Sequence, residues 1–307
     1  MAFTAKDVQA LRERTGAGMM DCKKALTETD GDMEKAVDFL REKGLAAQAK
    51  KAGRIAAEGV VFATVDTAAK VGAVVEVNAE TDFVSKNPDF IAFVESVAAA
   101  VIKYNPADVE ALLPLPCAGY GSVEEALRDK IFIIGENMKI RRFIRYEGDC
   151  AAYVHGGGRI GVLVKFSADA TTAGGAALAE CGKDVAMQIA ALNPLYLDEA
   201  AVPAEDIARE REVLIAQIKN DPKLADKPAN IIDKMVDGRI GKFYENNCLL
   251  KQAFVKNGDI TVAQYVADCA KAAGGAFSIA CFTRFEKGEG LAKREENFAD
   301  EVANMIK

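Results

Sequence analysis

The chain has 307 residues, half of them apolar, and a formal net charge of -7. That length suits about two domains with buried cores, and the acidic balance argues against a protein whose main work is gripping phosphate backbones. No run approaches the ~18 uninterrupted apolar residues of a membrane span. Seven scattered cysteines, without a CxxC pair, offer neither a zinc ribbon nor a thioredoxin-type site. The opening Met1-Ala2-Phe3-Thr4-Ala5-Lys6-Asp7 lacks the basic-then-apolar order of an export signal. A reduced, cytoplasmic protein is expected, with no membrane and no direct nucleic-acid partner.

Residues 4–43 read as three short helices. Thr4 caps the first, with Asp7 three residues on and Val8, Leu11 and Arg12 at helical spacing. Thr15-Gly16-Ala17-Gly18 breaks it. Met19, Met20, Cys22, Ala25 and Leu26 build a second helix that Asp30-Gly31 stops. Asp32 caps a third, with Met33, Ala36, Val37 and Leu40 on one stripe, and Gly44 is expected to end it. Residues 1–44 are thus a small head of ubiquitin-associated shape. The basic, alanine-rich stretch 45–57 reads as a linker, in part helical.

The middle carries an internal duplication. Glu58-Gly59 recurs as Glu147-Gly148, an offset of 89. At the same offset Lys70-Val71-Gly72 meets Arg159-Ile160-Gly161, Val75 meets Val164, and Ala79-Glu80 meets Ala168-Asp169. Each copy reads as two strands and a turn followed by an apolar helix, and the helices end in matching Asn105-Pro106 and Asn193-Pro194. Residues 58–146 are the first repeat; 147–199, continued at 247–290, are the second. Two such units predict an α+β core with helices on one face of each sheet. Residues 131–145 read as a helix end and the strand leading into the second copy.

An antiparallel helical hairpin is inserted at 200–246. Pro203 to Asn220 carries Ile207, Leu214 and Ile218, and the helix from Pro228 carries Ile232, Val236, Ile240 and Phe243. One apolar seam per helix makes no independent core, so the hairpin is expected to project as an arm rather than fold back as a lid. A strand over 276–286 and a C-terminal helical module at 291–307 close the chain. Its stripe is Phe298, Val302 and Met305.

Gly156-Gly157-Gly158-Arg159-Ile160-Gly161 matches the GxGxxG expression, but a strand follows the glycines where dinucleotide binding needs a helix. It reads as a flexible hairpin turn. His155 is the only histidine, so no catalytic triad or histidine-rich metal site can be assembled, and no GxSxG elbow occurs. The chain is therefore expected to be no enzyme, with no metal site and no cofactor. In Thr81-Asp82-Phe83-Val84, Phe83 stands outside any periodic stripe among turn-forming residues. It is either tucked under its loop or exposed as an aromatic interface anchor.

Five blocks carry a family resemblance: Leu11 to Leu26, Thr81 to Val84, Gly135 to Arg142, His155 to Val164, and Arg284 to Gly290. In order and sequence they resemble bacterial elongation factor Ts over nearly the whole chain. Ala253, where many members have proline, departs from the pattern in a connecting segment. The resemblance implies a guanine nucleotide exchange factor whose partner is the GTPase elongation factor Tu, bound most tightly when nucleotide-free. It implies that Thr81, Asp82, Phe83 and Val84 form the element that disturbs the partner's magnesium site. Leu11, Arg12, Met19, Met20, His155, Phe298 and Val302 would bind the partner, and two copies could pair through the arm. The competing expectation is an adaptor whose ubiquitin-associated-like head binds a protein without affecting nucleotide.

Overall fold

A computed structural model describes residues 3–224 and 227–292. The head consists of α1 (Ala5–Thr15), α2 (Met19–Glu28) and α3 (Met33–Lys51). Thr4 and Asp7 form a reciprocal capping box at the start of α1, Gly16 closes it in the left-handed conformation, and Asp32 caps α3. Leu11, Cys22, Ala25, Leu26 and Ala36 are fully buried at its centre.

Strands β1 (Glu58–Asp66), β2 (Val71–Ala79) and β3 (Met138–Glu147) form an antiparallel sheet in that order. Between β2 and β3 run α4 (Asp82–Ser85), α5 (Pro88–Tyr104), α6 (Val109–Leu112) and α7 (Val123–Ile134), and α5 and α7 cover one sheet face. The strand expected to lead into the second copy is β3, and it pairs with β2 as the first sheet's third strand. The second sheet, also antiparallel, takes β4 (Asp149–His155), β5 (Ile160–Ala168) and β8 (Phe277–Glu286) in that order. Its helices are α8 (Ala176–Leu192) and α11 (Val262–Ala272), packed on one face.

The repeat holds in backbone detail. Gly59 and Gly148 have φ of 118° and 110°, and the helix caps Asn105 and Asn193 have φ of 49° and 47°. Each central strand carries one register shift, at Glu76/Val77 and at Lys165/Phe166. The faces without helices pack on each other through Val61, Ala63, Val74, Leu163 and Phe285. The core is therefore helices, sheet, sheet, helices. This explains why every residue of β2 is buried: a strand covered on both faces loses the apolar-polar alternation of a half-exposed one.

Two expectations about the head's end need correction. The third helix continues through Gly44 to Lys51, leaving only 52–57 as a connection to β1. A β-carbon on Gly44 would lie 3.3 Å from Arg128 Cγ on α7, so the glycine serves a close helix crossing and stops nothing. Phe132 of α7 packs into the head's apolar cluster, and Lys51 Nζ donates to the Ile131 carbonyl at 3.1 Å. Head and first repeat thus share a packed boundary.

The inserted hairpin is α9 (Ala204–Asn220) and α10 (Ala229–Asn247), followed by a small hairpin of β6 (Ala253–Phe254) and β7 (Asn257–Thr261). Leu214, Ile218, Ile232, Val236 and Ile240 bury one another in a cluster made of arm residues. Tyr244 rather than the expected Phe243 extends the α10 stripe, at the spacing of four set by Ile232, Val236 and Ile240. At the arm's root Tyr196 Oη donates to Asp206 Oδ2 at 2.7 Å, and Leu195 N donates to the Asn247 carbonyl at 2.9 Å. Among the described residues no helix is long and apolar enough to cross a membrane. The helical module expected at 291–307, with Phe298, Val302 and Met305, lies outside the described residues beyond Ala292.

Candidate partner-binding site

The segment after β2 is built as a short pedestal. Thr81 takes extended backbone (φ -126°, ψ 159°) and opens α4, a single helical turn. Its hydroxyl does not cap that turn. It donates to Glu136 Oε1 at 2.7 Å, while the Thr81 N–H donates to Glu136 Oε2 at 3.0 Å. Val84 inserts into the apolar cluster under α5, and Ser85 Oγ accepts from the Gly59 N–H at 3.1 Å. Asn87 then caps α5 through the Asp89 N–H, with Pro88 at the first helical position. A fixed threonine and a buried valine flank Phe83, which is left 80% exposed. Phe83 is therefore not tucked under its loop.

Asp82 Oδ2 accepts from Lys86 Nζ at 2.7 Å. That hydrogen bond and ion pair hold its carboxyl below the usual carboxylate range. The carboxylate is exposed, so the pair orders the turn more than it stabilises the fold.

On the head, Met19 and Met20 are 45% and 73% exposed on the first turn of α2, and Arg12 is exposed on α1. Neither methionine belongs to the head's core. Leu11 is the opposite case. It is fully buried between Cys22, Leu26 and Ala36, so it supports the head and offers nothing to a partner.

His155 ends β4, exposed, with Nδ1 3.1 Å from the Tyr153 hydroxyl. The glycines after it form a hairpin turn, with φ of 60°, 63° and 92° at Gly156, Gly157 and Gly158. It is a hairpin turn as expected, and its third glycine is held against the first repeat. The Gly158 carbonyl accepts from the Val61 N–H at 2.8 Å, and a β-carbon on Gly158 would come within 2.7 Å of Val60 Cγ1. The second repeat's turn is therefore seated on the first repeat's edge strand.

Two carboxylates that sequence reasoning passed over organise this region. Glu136 is one. Glu76 is the other: it is fully buried, and it accepts from Arg142 Nε at 2.6 Å, Arg141 Nη1 at 3.0 Å, Asn78 Nδ2 at 3.1 Å and the Gly288 N–H at 2.9 Å. It clamps the loop after β8 to the first sheet. A buried charge survives only when paired and fully hydrogen-bonded. The signal in the sequence was a lone glutamate inside an apolar strand, with Arg141-Arg142 to match it.

With this geometry in place, comparison with known proteins is decisive. The family model described as Elongation factor TS matches residues 80–289. The chain is 53% identical over 306 residues to Elongation factor Ts of Clostridium perfringens (strain ATCC 13124), covering 99% of both chains. The chain belongs to the elongation factor Ts family. Elongation factor Ts of Clostridioides difficile (strain 630) is 52% identical over 307 residues, and that of Clostridium botulinum (strain Eklund 17B) 49%, each with 99% of both chains covered. Membership makes this chain a translation elongation factor. The matched span contains Thr81 to Val84, Glu136, His155 and the loop held by Glu76. The head precedes it and is covered by the near-full-length relatives.

Proposed function

We propose that this elongation factor binds elongation factor Tu in its GDP form and promotes GDP release, after which GTP loads. The observation that carries the reading is Phe83, a large aromatic held 80% exposed on a turn whose neighbours are fixed. Folding gains little by exposing such a side chain, whereas a rigid aromatic is an effective interface anchor. The resemblance assigns Thr81 to Val84 to the partner's magnesium site. A bound magnesium neutralises phosphate charge, so displacing the backbone that supports it weakens nucleotide binding. Arg12, Met19 and Met20 of the ubiquitin-associated-like head would grip the GTPase domain, with the unbranched methionines adapting to its surface. His155 would add a second contact. The arm would widen the interface or pair two copies of the factor. No bond is made or broken in this activity, so the chain acts as a binding protein in the cytoplasm and needs no cofactor, nucleic acid or membrane.

The test is release of fluorescent GDP from purified elongation factor Tu, with and without the chain. Acceleration is expected at substoichiometric concentration. Binding is reciprocal: if the factor lowers GDP affinity by some ratio, GDP lowers the factor's affinity by the same ratio. The complex should therefore be tightest with nucleotide-free partner, and added GDP should dissociate it. Equal affinity for the empty and GDP-loaded GTPase would refute the exchange mechanism and leave the adaptor reading in its place.

A further inference from the structure

The pedestal under Phe83 is joined to the loop between α7 and β3 by an exchange of hydrogen bonds between two adjacent pairs. Glu136 accepts from Thr81 through both carboxylate oxygens, at 3.0 and 2.7 Å. One residue to either side, Glu80 Oε1 accepts from the Asn137 N–H at 2.5 Å. The 80–81 and 136–137 segments thus hold each other at two points. Asn137 also donates through Nδ2 to the Arg54 carbonyl at 2.8 Å, and Arg54 Nη1 lies 3.4 Å from Glu80 Oε1. Arg54 stands three residues beyond α3, and Glu136 two residues beyond α7. The exit of the head, the end of α7 and the base of the aromatic turn therefore meet at one node.

We infer that Glu136 is the positioning residue of this exchange element: it fixes the direction in which Phe83 is presented, and through Asn137 and Arg54 it joins that direction to the head. The inference rests on the exchange reading. Glu136 acts through Thr81 and need not touch the partner. Thr81 is the last extended residue before α4, so its orientation sets the axis of the one turn that carries Phe83. A turn of four residues has too few internal bonds to fix its own direction. Both Thr81 donors are committed to one carboxylate, whose two oxygens define a plane. On that side the neighbouring bond from the Asn137 N–H to Glu80 Oε1 holds the strand end, and Glu136 holds the residue that opens the turn. The buried Val84 and the Ser85–Gly59 bond restrain it from the other.

The full chain carries the test, with Glu136→Ala, Glu136→Gln, Thr81→Val and Phe83→Ala compared in parallel. Catalysed release of fluorescent GDP from elongation factor Tu is measured as a maximal rate and a half-saturating concentration, and urea denaturation gives stability. Glu136→Ala should lower the maximal rate by about tenfold, equivalent to ~1.4 kcal/mol, and change the half-saturating concentration much less. Glu136→Gln should restore most of the loss. Its amide oxygen can accept from the Thr81 N–H while its NH₂ donates to the threonine hydroxyl. Adding Thr81→Val to Glu136→Ala should cost little more than Glu136→Ala alone, because the hydroxyl that valine lacks has already lost its acceptor. A normal rate in Glu136→Ala beside a slow Phe83→Ala would overturn the inference and leave the exchange reading standing. Glu136→Gln as slow as Glu136→Ala would also overturn it, by showing that the charge acts and not the hold on Thr81. Normal exchange by Phe83→Ala would take this turn out of the active surface and overturn this inference with it, whereas no acceleration by the wild-type chain would overturn the exchange reading itself. Should Glu136→Ala fold poorly, Thr81→Val decides in its place: a lowered maximal rate is expected, and a normal rate beside a slow Phe83→Ala would overturn the inference.

Discussion

Gly72 and Gly161 lie at equivalent points of the two repeats, and each is pressed against the opposite sheet. A β-carbon on Gly72 would sit 2.6 Å from Leu163 Cδ1 and 3.1 Å from Cys150 Cβ; on Gly161 it would sit 2.5 Å from Val61 Cγ1 and 3.3 Å from Val74 Cγ2. Val61 and Cys150 are themselves repeat partners, as are Val74 and Leu163, so the contacts map onto each other when the repeats are exchanged. The sheets approach closely because glycine stands at the symmetric pair of closest points. Neither residue has a positive φ, so space and not backbone strain demands it.

Gly72→Ala and Gly161→Ala should each destabilise the fold by roughly 1–3 kcal/mol, the usual range for overpacking a filled core. The double variant should fall short of the sum, since the first separation of the sheets relieves part of the second clash. Urea midpoints measure this. Neutral single variants would mean that the two sheets can slide apart freely.

Leu11 and Met20 should separate stability from binding. Leu11→Ala removes a fully buried side chain and should cost about 2–5 kcal/mol. Met20→Ala, at a 73% exposed position, should change stability by no more than roughly 0.5 kcal/mol. It should weaken complex formation with elongation factor Tu in titration calorimetry. If Leu11→Ala left stability unchanged, the head's core would lie elsewhere.

The contrast between these residues shows what the sequence could carry. The 89-residue offset was legible because strand register repeats it glycine for glycine. The second helix and third strand of each repeat were harder to match: α7 and α11, like β3 and β8, begin 139 positions apart, since the arm is inserted between them. A comparison at fixed offset misses them. The sheet-on-sheet layer was hidden for another reason. β2 reads as an apolar run interrupted by Glu76 and Asn78, and only the fold shows that its second face is covered by the other repeat. Gly44 looked like a helix stop because local propensity favours that reading, and its packing against Arg128 overrides it. At the site, Phe83 was singled out by its isolation from any stripe. Glu136 was not, because its partner Thr81 is 55 residues away and no periodicity joins them.

Asp169 should make stability pH-dependent at the acid end. Its carboxylate accepts from Thr172 Oγ1 at 2.9 Å, from the Ala276 N–H at 2.6 Å, and from the N–H groups of Thr172 and Thr171 at 2.9 and 3.0 Å, clipping the end of β5 to the start of β8. The Thr172 hydroxyl first, then the Ala276 amide, hold its carboxyl below the ordinary value. Folding therefore favours the ionised form. The contribution is full at neutral pH, begins to fall near the unfolded value of about 3.9, and is lost as pH drops through the lower folded value. Asp169→Asn should be less stable than wild type at pH 7, with the gap closing in strong acid. A gap that widens as pH falls would reverse the sign of the linkage.

Phe83→Ala should separate fold from function most sharply. A core phenylalanine costs about 3–5 kcal/mol when truncated, because a cavity remains. With 80% of Phe83 exposed, truncation leaves no cavity, and the stability measured by urea denaturation should change by roughly 0.5 kcal/mol or less. An aromatic anchor at the centre of an interface is worth about 2 kcal/mol or more, which is about 30-fold in rate at 1.36 kcal/mol per tenfold. GDP release in stopped flow should slow by at least that factor at equal concentration of folded factor. Asp82→Ala should act in the same direction by freeing Lys86 and loosening the turn, again without a packing penalty. Val84→Ala supplies the contrast: it removes a buried side chain beneath the turn, so stability and exchange should fall together. If Phe83→Ala were as destabilised as Val84→Ala while its folded fraction exchanged GDP normally, Phe83 would belong to the core and the active surface would have to lie elsewhere.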